Sequence, residues 1–342
     1  MSMGKKVNRF FVTITFCLLF ILAACGEKSQ EDVIEKLEES IETMDGYKVH
    51  AEMKMSTGQE EQTYGINVWH KKDDYYRVSL SNENDEKGGQ VILKNDDGVY
   101  VLTPALNKKF KFQTDWPDNS SQPYLYQSLV KDVVTDNEAQ FEATESQYIF
   151  QTKTNYQSNN NLPYQEIAFH KKTFTPEHVK VMDKDKNTVV EVTFTNFEMN
   201  PEFQQADFEL DENMVGEEEN QETSTQPEEA TTLEVMFPLE TLGAELFEQK
   251  EVELENGKRI ILTFKGEKNF KLIQEKKDVA QTMTELEERE GDIVNLGDVI
   301  GALSENGIKW SKDGVDYYLA SEELTKEELI DVAVSVQGRE VK

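Results

Sequence analysis

Few side chains in this sequence are placed to do chemistry. There are two cysteines, Cys17 and Cys25, and four histidines, His50, His70, His170 and His178, which lie far apart. None of the histidines stands in a ligand pair such as HxxxH beside a third donor, so no metal site is expected from them. Asp183-x-Asp185-x-Asn187 imitates the start of a calcium loop, but its sixth position is Thr188 and its twelfth Phe194. The glycine bend and the bidentate carboxylate are both missing, which leaves a hairpin turn. No GxSxG elbow, SxxK pair or phosphate-cradling glycine loop is expected, and Gly88-Gly89 suits a turn. With 67 Asp and Glu residues, some carboxylate pair will fall within reach in almost any fold, so acid/base chemistry on sugars is not diagnosed by their presence. No catalytic apparatus and no cofactor are expected.

Cys25 has a distinctive setting. Lys5, Lys6 and Arg9 give a basic start, and Phe10 to Leu22 is apolar apart from Thr13, Thr15 and Cys17. This is the order of a secretion signal, with an apolar run too short to span a bilayer comfortably. Leu22-Ala23-Ala24-Cys25-Gly26 resembles the lipobox of bacterial lipoprotein signals. That resemblance implies cleavage after Ala24, a diacylglyceryl thioether on Cys25, and a new N-terminus there. The alternatives are a plain transmembrane anchor or a soluble secreted chain cut at Ala24. Two acyl chains hold firmly where one holds marginally, at about 0.8 kcal/mol for each buried methylene. On the lipoprotein expectation Cys17 leaves with the signal and Cys25 is consumed, so thiol catalysis and disulfide stapling are excluded.

The chain carries a net charge of −31, with 37% hydrophobic and 30% charged residues, a composition that suits half-buried sheets whose other face meets water. Removing the basic signal makes it more negative still. Nucleic-acid binding and adhesion to anionic lipid by a basic patch are therefore disfavoured. The Cys25 anchor would supply the membrane contact.

The elements follow from periodicity. Ser29 and Asp32 form a capping-box pattern, and Val33, Ile34, Leu37, Ile41 and Met44 recur at helical spacing up to Gly46. From Tyr47 to about Leu210 the period falls to two, with turns at Lys72-Asp73-Asp74, Asn95-Asp96-Asp97-Gly98 and Asp183 to Asn187. Pro123 followed by Leu125, Leu129 and Val133 predicts one inserted helix, with the proline in its first turn. The expected fold class is α+β: residues 25–215 form a strongly curved antiparallel sheet, a half-barrel capped by helices. Residues 1–24 are the signal peptide and 216–231 an acidic linker. Residues 232–342 form a smaller α+β domain, with strands at Arg259–Phe264 and Phe270–Ile273, a hairpin at Asp313-Gly314, and a closing helix capped by Thr325 and Glu328.

Large apolar side chains recur along the first sheet. The bland expectation is an ordinary core; the sharper one is an unfilled groove for acyl chains or an apolar segment. Its expected lining is Val49, Met53, Met55, Val68, Tyr76 and Val101, closed by Leu129 and Val133 of the inserted helix.

The order of lipobox, acidic helix ending in Met44-Asp45-Gly46-Tyr47, first long strand, meander with inserted helix, and tail resembles the superfamily of outer-membrane lipoprotein-sorting proteins. It includes periplasmic lipoprotein carriers, their acceptors and a sigma-factor regulator. Over nearly its whole length the chain is similar to the sporulation lipoproteins of the YdcC type from spore-forming Gram-positive bacteria. The tail segments Arg259 to Gly266, Leu272-Ile273-Gln274 and Ile308 to Tyr317 resemble a small domain of unknown function in other Gram-positive envelope proteins. The resemblance implies a bent sheet whose apolar concavity receives lipid tails. A tether at Cys25 departs from a travelling carrier and favours holding, receiving or sensing.

The expected function is a non-enzymatic lipoprotein on the outer face of the cytoplasmic membrane, in the cell or forespore envelope. It would bind an acyl or other apolar ligand, with a lipid or lipoprotein client. The rival is a regulatory module that contacts an envelope or sporulation protein. A hydrolase built from scattered carboxylates would need two buried carboxyls converging in a cleft.

Overall fold

The computed structural model of the chain describes residues 28–337 except 57–60, 83–84, 119–120, 157–161, 215–232, 278–285, 297–298 and 313. The signal segment, Cys25, the 216–231 linker and Asp313 lie outside the described residues.

The first helix, α1 (Gln30–Thr43), starts where the capping box places it. Ser29 Oγ accepts from Asp32 N at 3.2 Å, and the Asp32 carboxylate accepts from Ser29 N at 3.0 Å. Its apolar stripe buries Val33 and Leu37. The chain then reverses at Gly46, whose φ of +154° and close approach to the His70 carbonyl exclude a side chain: a Cβ there would lie 2.3 Å from that oxygen.

Eleven strands follow: β1 (Gly46–Ser56), β2 (Glu61–Lys71), β3 (Tyr75–Asn82), β4 (Asp85–Asn95), β5 (Gly98–Thr103), β6 (Lys108–Gln113), β7 (Gln140–Ala143), β8 (Gln147–Lys153), β9 (Tyr164–His170), β10 (Pro176–Met182) and β11 (Thr188–Met199). Helix α2 (Tyr126–Thr135) interrupts them between β6 and β7, and α3 (Leu210–Met214) follows them. The tail adds β12 (Phe237–Pro238), β13 (Glu245–Leu254), β14 (Gly257–Lys265), β15 (Phe270–Lys277), β16 (Glu287–Glu290), β17 (Asp292–Asn295), β18 (Ile300–Ser304), β19 (Gly307–Lys312), β20 (Val315–Ala320), α4 (Lys326–Val334) and β21 (Val336–Gln337).

Twelve strands form one sheet in the order β16-β6-β5-β4-β3-β2-β1-β11-β10-β9-β8-β7, and seven form another in the order β13-β14-β15-β20-β19-β18-β17. The architecture is thus mostly β and broadly α+β. The large sheet is not closed, since β16 and β7 stand at opposite edges. Alternation along β1 sends Tyr47, Val49, Ala51 and Met53 to the face that α1 and α2 cover, and Lys48, His50, Glu52 and Lys54 to the other.

Two expectations need correction. Pro123 does not sit in the first turn of α2, which begins at Tyr126 with Leu125 as its cap. Leu125 N donates to the Gln122 carbonyl at 3.1 Å, so Pro123 occupies the second position of a β-turn, where its fixed φ is equally at home. Nor does water meet the whole outer face of the sheet. Val91, Leu93, Tyr100 and Leu102 are covered there by Phe208, with Phe203, Leu210 and Met214 beside it. Strand β5 is consequently buried on both faces.

The two sheets are joined directly. Strand β16 pairs in parallel with β6, the guanidinium of Arg289 lying 4.0 Å from the Phe110 ring centroid. Ile300 N donates to the buried Oε1 of Gln90 at 2.6 Å, and Lys108 Nζ meets Asp316 at 2.6 Å. Ile293, Ile300 and Ala302 belong to the core of the larger sheet.

Candidate functional site

A cavity of about 510 Å³ lies where the ends of β1 and β11 face α4 and β17. Antiparallel pairing of Met53 with Val192 and Met55 with Val190 sets β1 and β11 side by side. Their ends contribute Met53, Met55, Ser56, Val189 and Val190 to the wall. The Ser121–Tyr124 loop ahead of α2, Tyr156, Leu162 and the β10–β11 turn at Asp183 continue it. The opposite side comes wholly from the tail: Glu240 and Leu242, Ile293 to Asn295 of β17, and Ile330, Asp331, Val334 and Ser335 at the end of α4. Pockets that enclose small ligands span about 300–1,000 Å³, so this one is large enough to hold a guest.

Of the eight side chains expected to line a groove, Met53 and Met55 are on this wall. Val49, Val68, Tyr76, Val101, Leu129 and Val133 are not; all six are buried in the packed core between sheet and helices. Val68 pairs across strands with Val49 and Val78, and the Tyr76 ring packs 4.5 Å from His70 and 5.6 Å, edge-on, from Trp116. These six side chains are therefore packed beneath α1 and α2, and the cavity described here lies instead at the seam between the sheets. Sequence reasoning missed Ile293, Ile330 and Val334 because the tail's contribution depends on long-range packing that periodicity does not encode.

Behind the loop that lines the cavity sits a buried polar cluster. Asp132 of α2 accepts from Ser121 Oγ at 3.0 Å and from Gln165 Nε2 at 2.7 Å, and Asn155 N donates to Ser121 Oγ at 2.8 Å. Burial pushes the Asp132 pKa up against these hydrogen bonds. Tyr156 Oη, Thr152 Oγ1 and Gln165 Oε1 are buried and have no hydrogen-bond partner among the described residues. Burial drives the Tyr156 hydroxyl well above the ordinary tyrosine range.

Asp132 is the one buried carboxylate among the described residues, so no second carboxyl converges on it for glycosidase-type work. The expectation that no Ser-x-x-Lys pair occurs is wrong: Ser128-Leu129-Val130-Lys131 of α2 has this spacing, which some acylating hydrolases use. Ser128 Oγ accepts from Gln122 N at 2.7 Å, while Lys131 Nζ reaches out to Asp118 at 3.2 Å. The pair is thus spent on a turn and on a surface ion pair.

Histidines sit in separate environments: His50 on Asn67, His70 buried on the Tyr75 carbonyl, His170 on Thr173, and His178 near Glu166. No group of three or more His, Cys, Asp or Glu is placed to hold a metal among the described residues. Asp183 accepts from Asp185 N, Asn187 N and Asn187 Nδ2, which makes its stretch the expected hairpin turn. No helix among the described residues is long and apolar enough to cross a membrane.

A family model described as sporulation protein YdcC-like matches residues 5–208. The chain is similar to sporulation protein YdcC of Bacillus subtilis (strain 168), 48% identical over 341 residues, with 99% of this chain and 100% of that protein covered. Among solved structures it is similar to a chain of the Pseudomonas aeruginosa MucA/MucB complex, at 12% identity and a TM-score of 0.35, covering 91% of this chain and 100% of that one. The LolA superfamily protein NE2245 from Nitrosomonas europaea gives 11% and 0.31, covering 54% and 99%. A chain from the complex of the CwlD amidase of Clostridioides difficile with the GerS lipoprotein gives 18% and 0.30, covering 51% and 97%.

Proposed function

The chain belongs to the sporulation protein YdcC-like family, and from that premise we propose that it is a lipid-anchored, extracytoplasmic, non-enzymatic lipoprotein that binds an apolar ligand during envelope or spore assembly. Anchoring rests on the order of basic start, apolar run and Leu22-Ala23-Ala24-Cys25 in the sequence. The larger sheet acts as a half-barrel scaffold around α1 and α2. Its acyl-type guest occupies the seam cavity and not the filled interior.

The observation that carries this reading is the cavity itself. Its Met53, Met55, Val189 and Val190 come from the larger sheet, and its Ile293, Val294, Ile330 and Val334 from β17 and α4 of the tail. An unbranched thioether side chain adapts to irregular guests, which suits Met53 and Met55 to a wall that must repack around a chain. The polar cluster around Asp132 holds the Ser121–Tyr124 loop in place and performs no chemistry of its own.

Purified protein should enhance the fluorescence of the neutral apolar probe N-phenyl-1-naphthylamine, saturably and at one site. Met55→Trp, which fills the cavity from a partly exposed position, should abolish the signal. A wild-type protein that leaves the probe dark would sink the ligand-binding reading. Mass spectrometry of native protein checks the anchor independently, with a diacylglyceryl thioether expected on Cys25.

A further inference from the structure

Building on the ligand-binding reading above, we propose that the seam cavity selects a single-chain amphiphile with a cationic, amine-type head and disfavours a carboxylate head. The wall combines apolar side chains with neutral polar ones, and each of its charged members is acidic. Its apolar part is Met53, Met55, Val190, Ile293, Ile330 and Val334, and its charged members are Asp183, Glu240 and Asp331. No lysine, arginine or histidine lines it among the described residues.

Local structure holds the negative polarity at Asp183, at Glu240 and at the end of α4. Asp183 is held below the ordinary carboxylate range by hydrogen bonds from Asn187 and Asp185, so it stays ionised. Glu240 is exposed, with its carboxylate fixed by the Leu242 N–H at 2.8 Å. Helix α4 ends at the cavity: Val334 is its last residue, Ser335 its cap, and no basic residue stands in its last turn. The carbonyl end of a helix carries partial negative charge, which adds to the three carboxylates. A carboxylate head would enter against this negative charge, whereas an ammonium would be attracted by it.

A methylene chain fits the interior better than a peptide does. Each peptide N–H and C=O group that lies against the methionine, valine and isoleucine side chains would lose its hydrogen bond to water, and the scattered polar side chains of the wall could replace only some of them. A hydrocarbon tail loses none. Because the two sheets supply opposite walls, the bound chain lies across the seam and contacts both.

The test compares three probes with the same twelve-carbon chain: dodecyltrimethylammonium, lauroylglycerol and laurate. Each is titrated calorimetrically, below its micelle concentration, into the chain from Lys28 onward, which contains every residue of the three cores. Affinity should fall in that order. A carboxylate that meets solvent is worth roughly a threefold change, so Glu240→Gln with Asp331→Asn should cut ammonium binding by about tenfold. The same pair should strengthen laurate and leave lauroylglycerol unchanged. Met55→Trp should remove all three, which separates the cavity from loose attraction of a cation to an acidic surface.

If the double variant melts early, a salt series on the wild type decides, since screening should erase the ammonium probe's advantage. Equal binding of the three heads, a preference for laurate, or an advantage that ignores salt overturns the charge selection while leaving ligand binding intact. Binding of none of them overturns the underlying reading itself.

Discussion

His70 shows how one side chain can tie stability to pH. Its ring is buried between Tyr47 and Tyr76, with centroids at 5.5 and 4.5 Å, and Nδ1 lies 3.1 Å from the Tyr75 carbonyl. Burial lowers its pKa from 6.5 to about 4. The unfolded chain therefore takes up a proton as pH falls through 6.5, while the folded chain resists until about 4. The stability this group contributes is whole above 6.5 and lost across that window, by roughly 3 kcal/mol. Asp132 works in the opposite sense. Its raised pKa makes its contribution complete in acid and lost as pH rises through the folded value. Denaturant midpoints measured for the wild type and for His70→Phe from neutral to acid pH isolate the histidine. The wild type should lose stability more steeply on acidification, and parallel curves would contradict the assignment. Residue-scale chemistry was legible where it is local, as in the Asp183 turn. It was hidden where fold context decides, as at Asp132, which reads in the sequence as an ordinary helix carboxylate.

At the scale of elements, legibility followed the range of the forces involved. The capping boxes of α1 and α4 could be read from the sequence because donor and acceptor are three residues apart: Ser29 with Asp32, and Thr325 with Glu328. Replacing Ser29 by Ala should destabilise the protein by about 1 kcal/mol, measured by chemical denaturation, with an unchanged midpoint counting against the cap. Strand β13 had no such signature. It is an edge strand exposed along most of its length, with Phe247 64% exposed, so no alternation of apolar and polar residues marks it. Strand β16, Glu287–Glu290, is charged throughout and reads as loop. It becomes a strand because β6 offers it a free row of backbone groups, a long-range pairing that no local window contains. For the same reason half of the candidate site was out of reach: Met53 and Met55 could be picked out, whereas α4's share could not.

For the whole molecule, the seam decides how the protein unfolds. Ile293, Ile300 and Ala302 belong to the core of the larger sheet although they lie in strands of the smaller one. The two sheets should consequently melt in one calorimetric transition. Gln90 is the sharpest test, since its buried Oε1 accepts from Ile300 N at 2.6 Å. Gln90→Ala strands that N–H and should cost about 1–3 kcal/mol, with the tail sheet loosening before the rest. Two separate transitions in the wild type would show that the sheets are thermally independent.

The edge pairing of β6 with β16 also has a consequence for biosynthesis. The partner of Lys108–Gln113 is not made until Glu287–Glu290 emerges. An open row of this kind invites other chains to pair with it, and lysines on an edge discourage them. Lys108, Lys109 and Lys111 stand along it. Their charges guard that open edge in a newborn chain until β16 arrives to pair with it.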